Sequence, residues 1–252
     1  MSCTRSLVAL LLLAFAQDKK EPPKPVPRLM LFMPLGVSPG ATATVTARGM
    51  VLDQATEVRI EGVEGAAVKI KSKGKAAMPK DVEPAAVGDT QMELEIKLPA
   101  EAPEGRVSIV AVTPAGSTEP LALLVLPKER LVPEKEPNGA FTQAQPLESG
   151  KVIVGAIAQP KDVDVFKVKG QKGEAWTFEA VAHRLGSHLD PTLSLYTESG
   201  QLLATRDDDA GTRDATLKAT LPADGVYYLS LIDAHDLGDA MHVYHLHARL
   251  GP

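Results

Sequence analysis

The chain has 252 residues, enough for two ordinary domains or one large β-domain, and its 44% hydrophobic and 23% charged content is globular rather than disordered. A formal charge of −5 excludes the electrostatic footprint of a nucleic-acid binder. A single cysteine, Cys3, excludes an internal disulfide and a thiolate zinc cage.

Residues 1–16 read as an address. Arg5 supplies a positive start, Leu7–Phe15 is an uninterrupted apolar run, and Ala14 and Ala16 place small residues at a cleavage site, the three-part layout of a secretory signal peptide. The run is about half the ~20 residues that a membrane-spanning helix needs. A buried N-terminal helix is the alternative, and the polar Gln17-Asp18-Lys19-Lys20 that follows argues against it. Cleavage before Gln17 leaves a mature chain without cysteine, and nothing later is long and apolar enough to span a bilayer. The expectation is an exported protein, in the periplasm, the envelope or the medium, with no membrane span after cleavage.

Residues 17–28 are charged and proline-rich and read as a stiff spacer. Residues 29–127 then alternate with period two. Ala41–Ala47, Val58–Ile60, Val68–Ile70 and Leu94–Leu98 each set apolar against polar, while Val107–Val112 and Leu121–Leu126 are near-continuous apolar runs. One buried and one wet face is the signature of an antiparallel sheet, and short strands at short intervals suit a β-sandwich. Lys69–Pro84, with five lysines, reads as an exposed loop.

Prolines 127, 133 and 137 mark a second break, taken as a linker over 128–138. Residues 17–133 hold 15 acidic and 15 basic residues, whereas 134–252 hold 17 and 11, a net −6, together with all six histidines. Two domains explain this contrast better than one core. Residues 139–252 also read as β: Lys151–Ala158, Val163–Lys169, Glu174–Ala182, Thr192–Thr197, Gln201–Arg206, Ala215–Leu221, Val226–Asp233 and His242–Arg249. Trp176, Phe178 and Ala180 share one strand face and are expected in the core; Tyr227 and Tyr228 point to opposite faces, so one is wet. The fold class is therefore all-β, two sandwiches in series.

Pro34–Gly40, the strand 41–47 and Arg48–Leu52, with Leu98–Gly105 before Val107–Val112, resemble immunoglobulin-like IPT/TIG domains over roughly 29–127. This resemblance implies a structural or interaction module without catalytic residues. The later half resembles the bacterial pre-peptidase C-terminal domain. The ordered series is Glu136-Pro137-Asn138, Gly155–Ala158, Asp162-Val-Asp164-Val-Phe166, Leu185–Pro191, Leu193–Tyr196, Asp207–Asp209, Leu221–Tyr228 and Tyr244–Leu246, spread across 134–250. That resemblance implies a jelly-roll-like sandwich of the kind appended to secreted peptidases, some members of which bind calcium.

The best chemical candidate is an oxygen-ligand metal site. Period two puts Asp162 and Asp164 on one strand face, about 6.6 Å apart at ~3.3 Å per residue, where two like charges repel unless a cation sits between them. Glu134, Glu136 and Asn138, folded back onto that strand, bring the set to five oxygen-bearing side chains, which suits calcium better than magnesium. The family resemblance implies ligands from this linker and this strand; Gly139 departs from a pattern in which an acidic or amide residue often follows the Asn. The alternative is a solvated linker and two ordinary strand-start carboxylates.

Asp207-Asp208-Asp209 fails the EF-hand pattern, with Gly211 and Lys218 where ligands belong, and reads as a solvated turn, a second calcium site being its alternative. His245 and His247 share a strand face but lack a third ligand, so they read as a solvent-facing pair. Ser187, His188 and Asp190 are too close in sequence to form a relay with one another, and no nucleophile elbow, zincin or phosphate-loop motif is present. The expectation is an exported, non-catalytic binding or scaffolding protein with structural calcium, its partner a protein or an extracellular-matrix or cell-envelope polymer. The alternative is an accessory protein for a separately encoded secreted peptidase or other exported enzyme.

Overall fold

The computed structural model describes residues 26–79 and 82–251. The signal peptide expected over 1–16 and nearly all of the spacer expected over 17–28 lie outside the described residues. The chain is all-β, with nineteen strands among the described residues.

Nine strands build the first sandwich: β1 (Arg28–Met33), β2 (Gly36–Val37), β3 (Thr42–Met50), β4 (Glu57–Glu61), β5 (Ala67–Lys75), β6 (Thr90–Lys97), β7 (Gly105–Thr113), β8 (Gly116–Ser117) and β9 (Leu121–Val125). One sheet runs β1-β3-β6-β5 and faces a second ordered β2-β9-β7-β4, with β8 paired to β7. Alternation decides what lies between them. Val45 and Ala47 of β3 meet Met92, Leu94 and Ile96 of β6 beneath Ile109 and Leu123, while the Thr and Glu residues between them point away. The expected loop over Lys69–Pro84 is corrected: β5 continues to Lys75 and pairs with β6 through Lys75↔Thr90. Lysines at 69, 71, 73 and 75 are themselves a period-two pattern, and a lysine-lined edge strand blocks further pairing.

The second sandwich holds β10 (Leu131–Pro133), β11 (Gln145–Pro146), β12 (Val152–Ala156), β13 (Val163–Gly170), β14 (Ala175–Val181), β15 (Pro191–Thr197), β16 (Leu202–Arg206), β17 (Ala215–Thr220), β18 (Gly225–Asp233) and β19 (Val243–Leu250). Its sheets are ordered β10-β12-β19-β14-β17 and β11-β13-β18-β15-β16. Phe166, Trp176, Phe178, Leu195, Leu229, Tyr244 and Leu246 fill the space between. The segment expected to be a linker over 128–138 is partly strand: β10 pairs parallel with β12, Leu131 opposite Val152. Three residues between prolines are too few to display a period, which hides this strand in the sequence.

A third apolar cluster joins the sandwiches. Leu31, Leu35, Leu124 and Leu126 pack with Val152, Val181, Leu185 and Met241. Gly186, at φ 87, lies so close to β1 that any Cβ would run into the Met30 carbonyl. His245 and His247 face this junction, not solvent, which corrects the expectation for that pair. His245 is 1% exposed, its Cε1 3.0 Å from where a Cβ on Gly36 would stand, and it is flanked across the sheet by Val154 and Val181. Burial drives its pKa down to about 3, with His247 adding repulsion. Burial likewise lowers His247 to about 4, opposed by Glu179 and assisted by Arg130, Arg249 and Arg184.

Both rings are thus neutral in the folded state, whereas unfolded histidines protonate near pH 6.5. The unfolded chain binds more protons below that pH, so the junction's contribution is complete above 6.5 and falls as pH drops towards 4 and then 3. The loss approaches about 1.4 kcal/mol per pH unit for each histidine. Melts between pH 7.5 and 4.5 should show this slope, and His245→Gln with His247→Gln should flatten it; an unchanged slope contradicts the assignment.

Candidate metal centre

Alternation in β13 places Asp164 on the same face as Phe166 and Val168, so a carboxylate points into the sandwich interior, 0% exposed. The same rule on β19 turns Tyr244 inward with Leu246 and Ala248, also 0% exposed. The two meet across the sandwich: the Tyr244 hydroxyl donates to Asp164 Oδ2 at 2.6 Å. Glu134 leaves β10 and folds over the same place. Its Oε2 accepts from the Ala156 amide at 2.9 Å and its Oε1 accepts from Asn138 Nδ2 at 2.8 Å. Glu136 Oε2 accepts from the Asn138 amide at 2.9 Å, and the Asn138 carbonyl accepts from the Val165 amide at 3.0 Å.

Glu134, Glu136 and Asp164 bring carboxylate oxygens within 4.8 Å of one another. Asn138 is fully buried beside them, and its Oδ1 and Asp164 Oδ1 have no hydrogen-bond partner. Two buried oxygens without donors thus lie among carboxylates, an arrangement whose cost a cation or a proton could relieve. Two ionised carboxylates at 4.8 Å would repel by roughly 3.5 kcal/mol at an effective dielectric of ~20. Burial, followed by the neighbouring Glu134 carboxylate, pushes Asp164 up to about 9. Burial also raises Glu136 above the usual carboxylate range. Burial and the Asp164 charge carry the Tyr244 hydroxyl well above 10, so it is a donor throughout the physiological range.

Four of the five expected ligands are thus brought together. Asp162 is not: β13 begins after it, Lys161 turns the chain at φ 65, and the Asp162 carboxylate accepts from the Ala158 and Val163 amides at 3.0 and 3.1 Å. It acts on the centre only through its charge, which raises Glu136 and Asp164. The sequence reading missed Tyr244 and Gly155. Gly155 stands opposite Tyr244 in the β12–β19 ladder, and a Cβ there would meet Glu134 Oε2 and stand 2.6 Å from the Tyr244 hydroxyl oxygen. The core-facing phase of Tyr244 is the signal for the first; Gly155 stands in the Gly155–Ala158 segment of the resemblance, but nothing in its spacing marks it as part of the site.

The second acidic group is real but differently composed. Asp207 and Asp208 approach Asp190 within 4.8 Å, and Arg213 and His235 lie 3.5 and 3.6 Å from the Asp190 carboxylate. Ser187 Oγ donates to the Met241 carbonyl at 3.1 Å, not to an imidazole. Trp176 is core, its ring 5.6 Å from Phe178. Tyr227 is buried and bonds the Ala223 carbonyl, while Tyr228 faces outward and stacks on Phe141 at 4.3 Å, with Tyr196 5.5 Å from Phe141. No helix of the described residues is long and apolar enough to cross a membrane.

No family model matches the chain. Among curated proteins it is 36% identical over 101 residues to a probable subtilase-type serine protease of Deinococcus radiodurans, a match that takes in 38% of this chain and 14% of that protein. Similar solved structures include the pre-peptidase C-terminal domain of a collagenase from Bacillus anthracis, at 16% identity and TM-score 0.35, covering 46% of this chain and all of that domain. A secreted serine protease of Vibrio cholerae, at 12% identity and TM-score 0.29, covers 86% of this chain and 48% of that one.

The packing at the centre is checked by two substitutions. Gly155→Ala should cost about 1–3 kcal/mol through overpacking against Glu134 and Tyr244. Tyr244→Phe should cost about 1–3 kcal/mol by leaving Asp164 Oδ2 without its donor. Urea denaturation measures both, and wild-type midpoints would contradict this packing.

Proposed function

We propose that the chain is an exported, non-catalytic binding or accessory protein. In this reading residues 29–127 form an IPT/TIG-like module and 139–252 a pre-peptidase C-terminal-like domain braced by calcium. The observation that carries it is the buried Asn138 Oδ1 and Asp164 Oδ1 without hydrogen-bond partners, beside Glu134 and Glu136. These are hard oxygen donors, as calcium requires, and water or backbone carbonyls would complete its six to eight ligands. Bound calcium would offset two of the three negative charges that the ionised cluster carries. Glu134, Glu136 and Asn138 hold the chain entering the second sandwich; Asp164 anchors the opposite sheet; Tyr244 orients Asp164. The site therefore ties the segment arriving from the first sandwich to both sheets of the second.

A binding surface accompanies this brace. Phe141, Tyr196 and Tyr228 form a half-exposed aromatic group on the outer face of the β13–β18–β15 sheet. Flat aromatic surface with phenolic hydroxyls suits a protein or an extracellular or envelope polymer as partner. The second reading, an accessory protein for a separately encoded secreted peptidase, is favoured by the match to the Deinococcus protease.

Thermal melts of residues 17–252 in EDTA, millimolar calcium and millimolar magnesium test the brace. Calcium alone should raise the midpoint, by about 2.7 kcal/mol of stability at a hundredfold excess over Kd. Asp164→Asn keeps an acceptor for Tyr244 and removes the charge, so it should abolish the calcium shift and raise the midpoint in EDTA. No shift at millimolar calcium would make the cluster a protonated structural network. Pull-downs that recover polymer or a peptidase separate the two readings of the partner.

A further inference from the structure

We propose that His188 and His242 form a two-imidazole site for a divalent transition metal, separate from the carboxylate centre. A cleft of about 770 Å³ lies between the sandwiches, lined by Leu29, Met30 and Val87 from the first and by Ser187, His188 and His242 from the second. His242 is 5% exposed, and its Nδ1 lies 2.8 Å from Asp239 Oδ1. The Met241 amide donates to the same oxygen at 2.7 Å, which fixes the carboxylate. In the tautomer that donates Nδ1–H to this carboxylate, the other nitrogen, Nε2, carries the lone pair. A carboxylate behind an imidazole is the arrangement that orients metal-binding histidines.

Nε2 of His242 is buried and has no partner. A buried lone pair without a donor lacks its hydration and wants either a proton donor or a Lewis acid. The His188 ring lies with its centroid 6.0 Å away and at 81°, an imidazole that burial holds below its usual pKa. Its backbone is held where the site needs it: the His188 amide and Ser187 Oγ both donate to the Met241 carbonyl, at 3.2 and 3.1 Å. Two imidazole nitrogens suit zinc, nickel or copper and not calcium. The remaining positions would be filled by water or by a donor group of a bound partner, so the site is one ligand poorer than an open three-ligand zinc site.

Charge limits the affinity. Arg48 acts on His188 from the first sandwich, although its guanidinium is committed to the carbonyls of Ala77, Val87 and Gly88. Asp239 offsets it. With two protein ligands the site binds far more weakly than a closed four-ligand site.

The test is a zinc titration of the full chain, free of a polyhistidine tag, by calorimetry in saturating calcium, with cobalt absorption as a second readout. One zinc per chain should bind, His188→Ala and His242→Gln should each weaken it by about tenfold or more, about 1.4 kcal/mol. Asp239→Asn, a positioning change, should weaken it less. His188 is half-exposed, so His188→Ala keeps the test independent of any loss of folding at His242. Asp164→Asn should leave zinc binding unchanged, which separates this site from the calcium reading. Absence of binding at millimolar zinc overturns the proposal. So does binding that survives both histidine substitutions or that is lost on His245→Gln with His247→Gln.

Discussion

A carboxylate inside a β-sandwich must be satisfied, and the second half of this protein is organised around satisfying Asp164. Tyr244 reaches it from the opposite sheet at 2.6 Å, and Glu134 and Glu136 bring further oxygens within 4.8 Å. Gly155 exists as a glycine because Glu134 and Tyr244 occupy the space a side chain would take. The cluster lies where the chain passes from the first sandwich into the second, directly after the three residues of β10. Local chemistry at one end of a sandwich therefore sits at the point where the chain enters the module.

The attachment has a second element of different character. The junction between the sandwiches is apolar, built from leucines and valines, and contains His245 and His247 as neutral rings. Close backbone approach at Gly186 makes the contact intimate. Apolar burial holds the halves together broadly, with the neutral histidines inside the junction and the carboxylates beside the chain that enters the second sandwich. The aromatic group of Phe141, Tyr196 and Tyr228 lies on the other sheet and is free of both constraints.

Much of this was legible from alternation. β3, β6, β13 and β19 display their buried faces in the sequence, and the eight strands expected after residue 139 are all present within a residue or two. Asp164 in phase with Phe166 and Val168 already marks an inward carboxylate, and Glu134, Glu136 and Asn138 were readable as its company. Asp162 was misread because a period of two was extended past the turn at Lys161, where the strand has not begun. β2, β8, β10 and β11 are two or three residues long, too short for any period. The histidine pair was misplaced for a different reason: an alternating strand shows which residues share a face, but not that a second sandwich covers the outer one. Gly155 and the Asp239–His242 pairing depend on cross-strand register and loop geometry, which leave no trace in spacing.

The most direct measurement is anomalous diffraction from crystals grown in calcium, repeated with a lanthanide in its place. The account predicts one strong peak among Glu134, Glu136, Asn138 and Asp164, at about 2.3–2.6 Å from Asn138 Oδ1 and Asp164 Oδ1. A map without a peak there at millimolar calcium, with Asp164 close enough to Glu134 to share a proton, would contradict it.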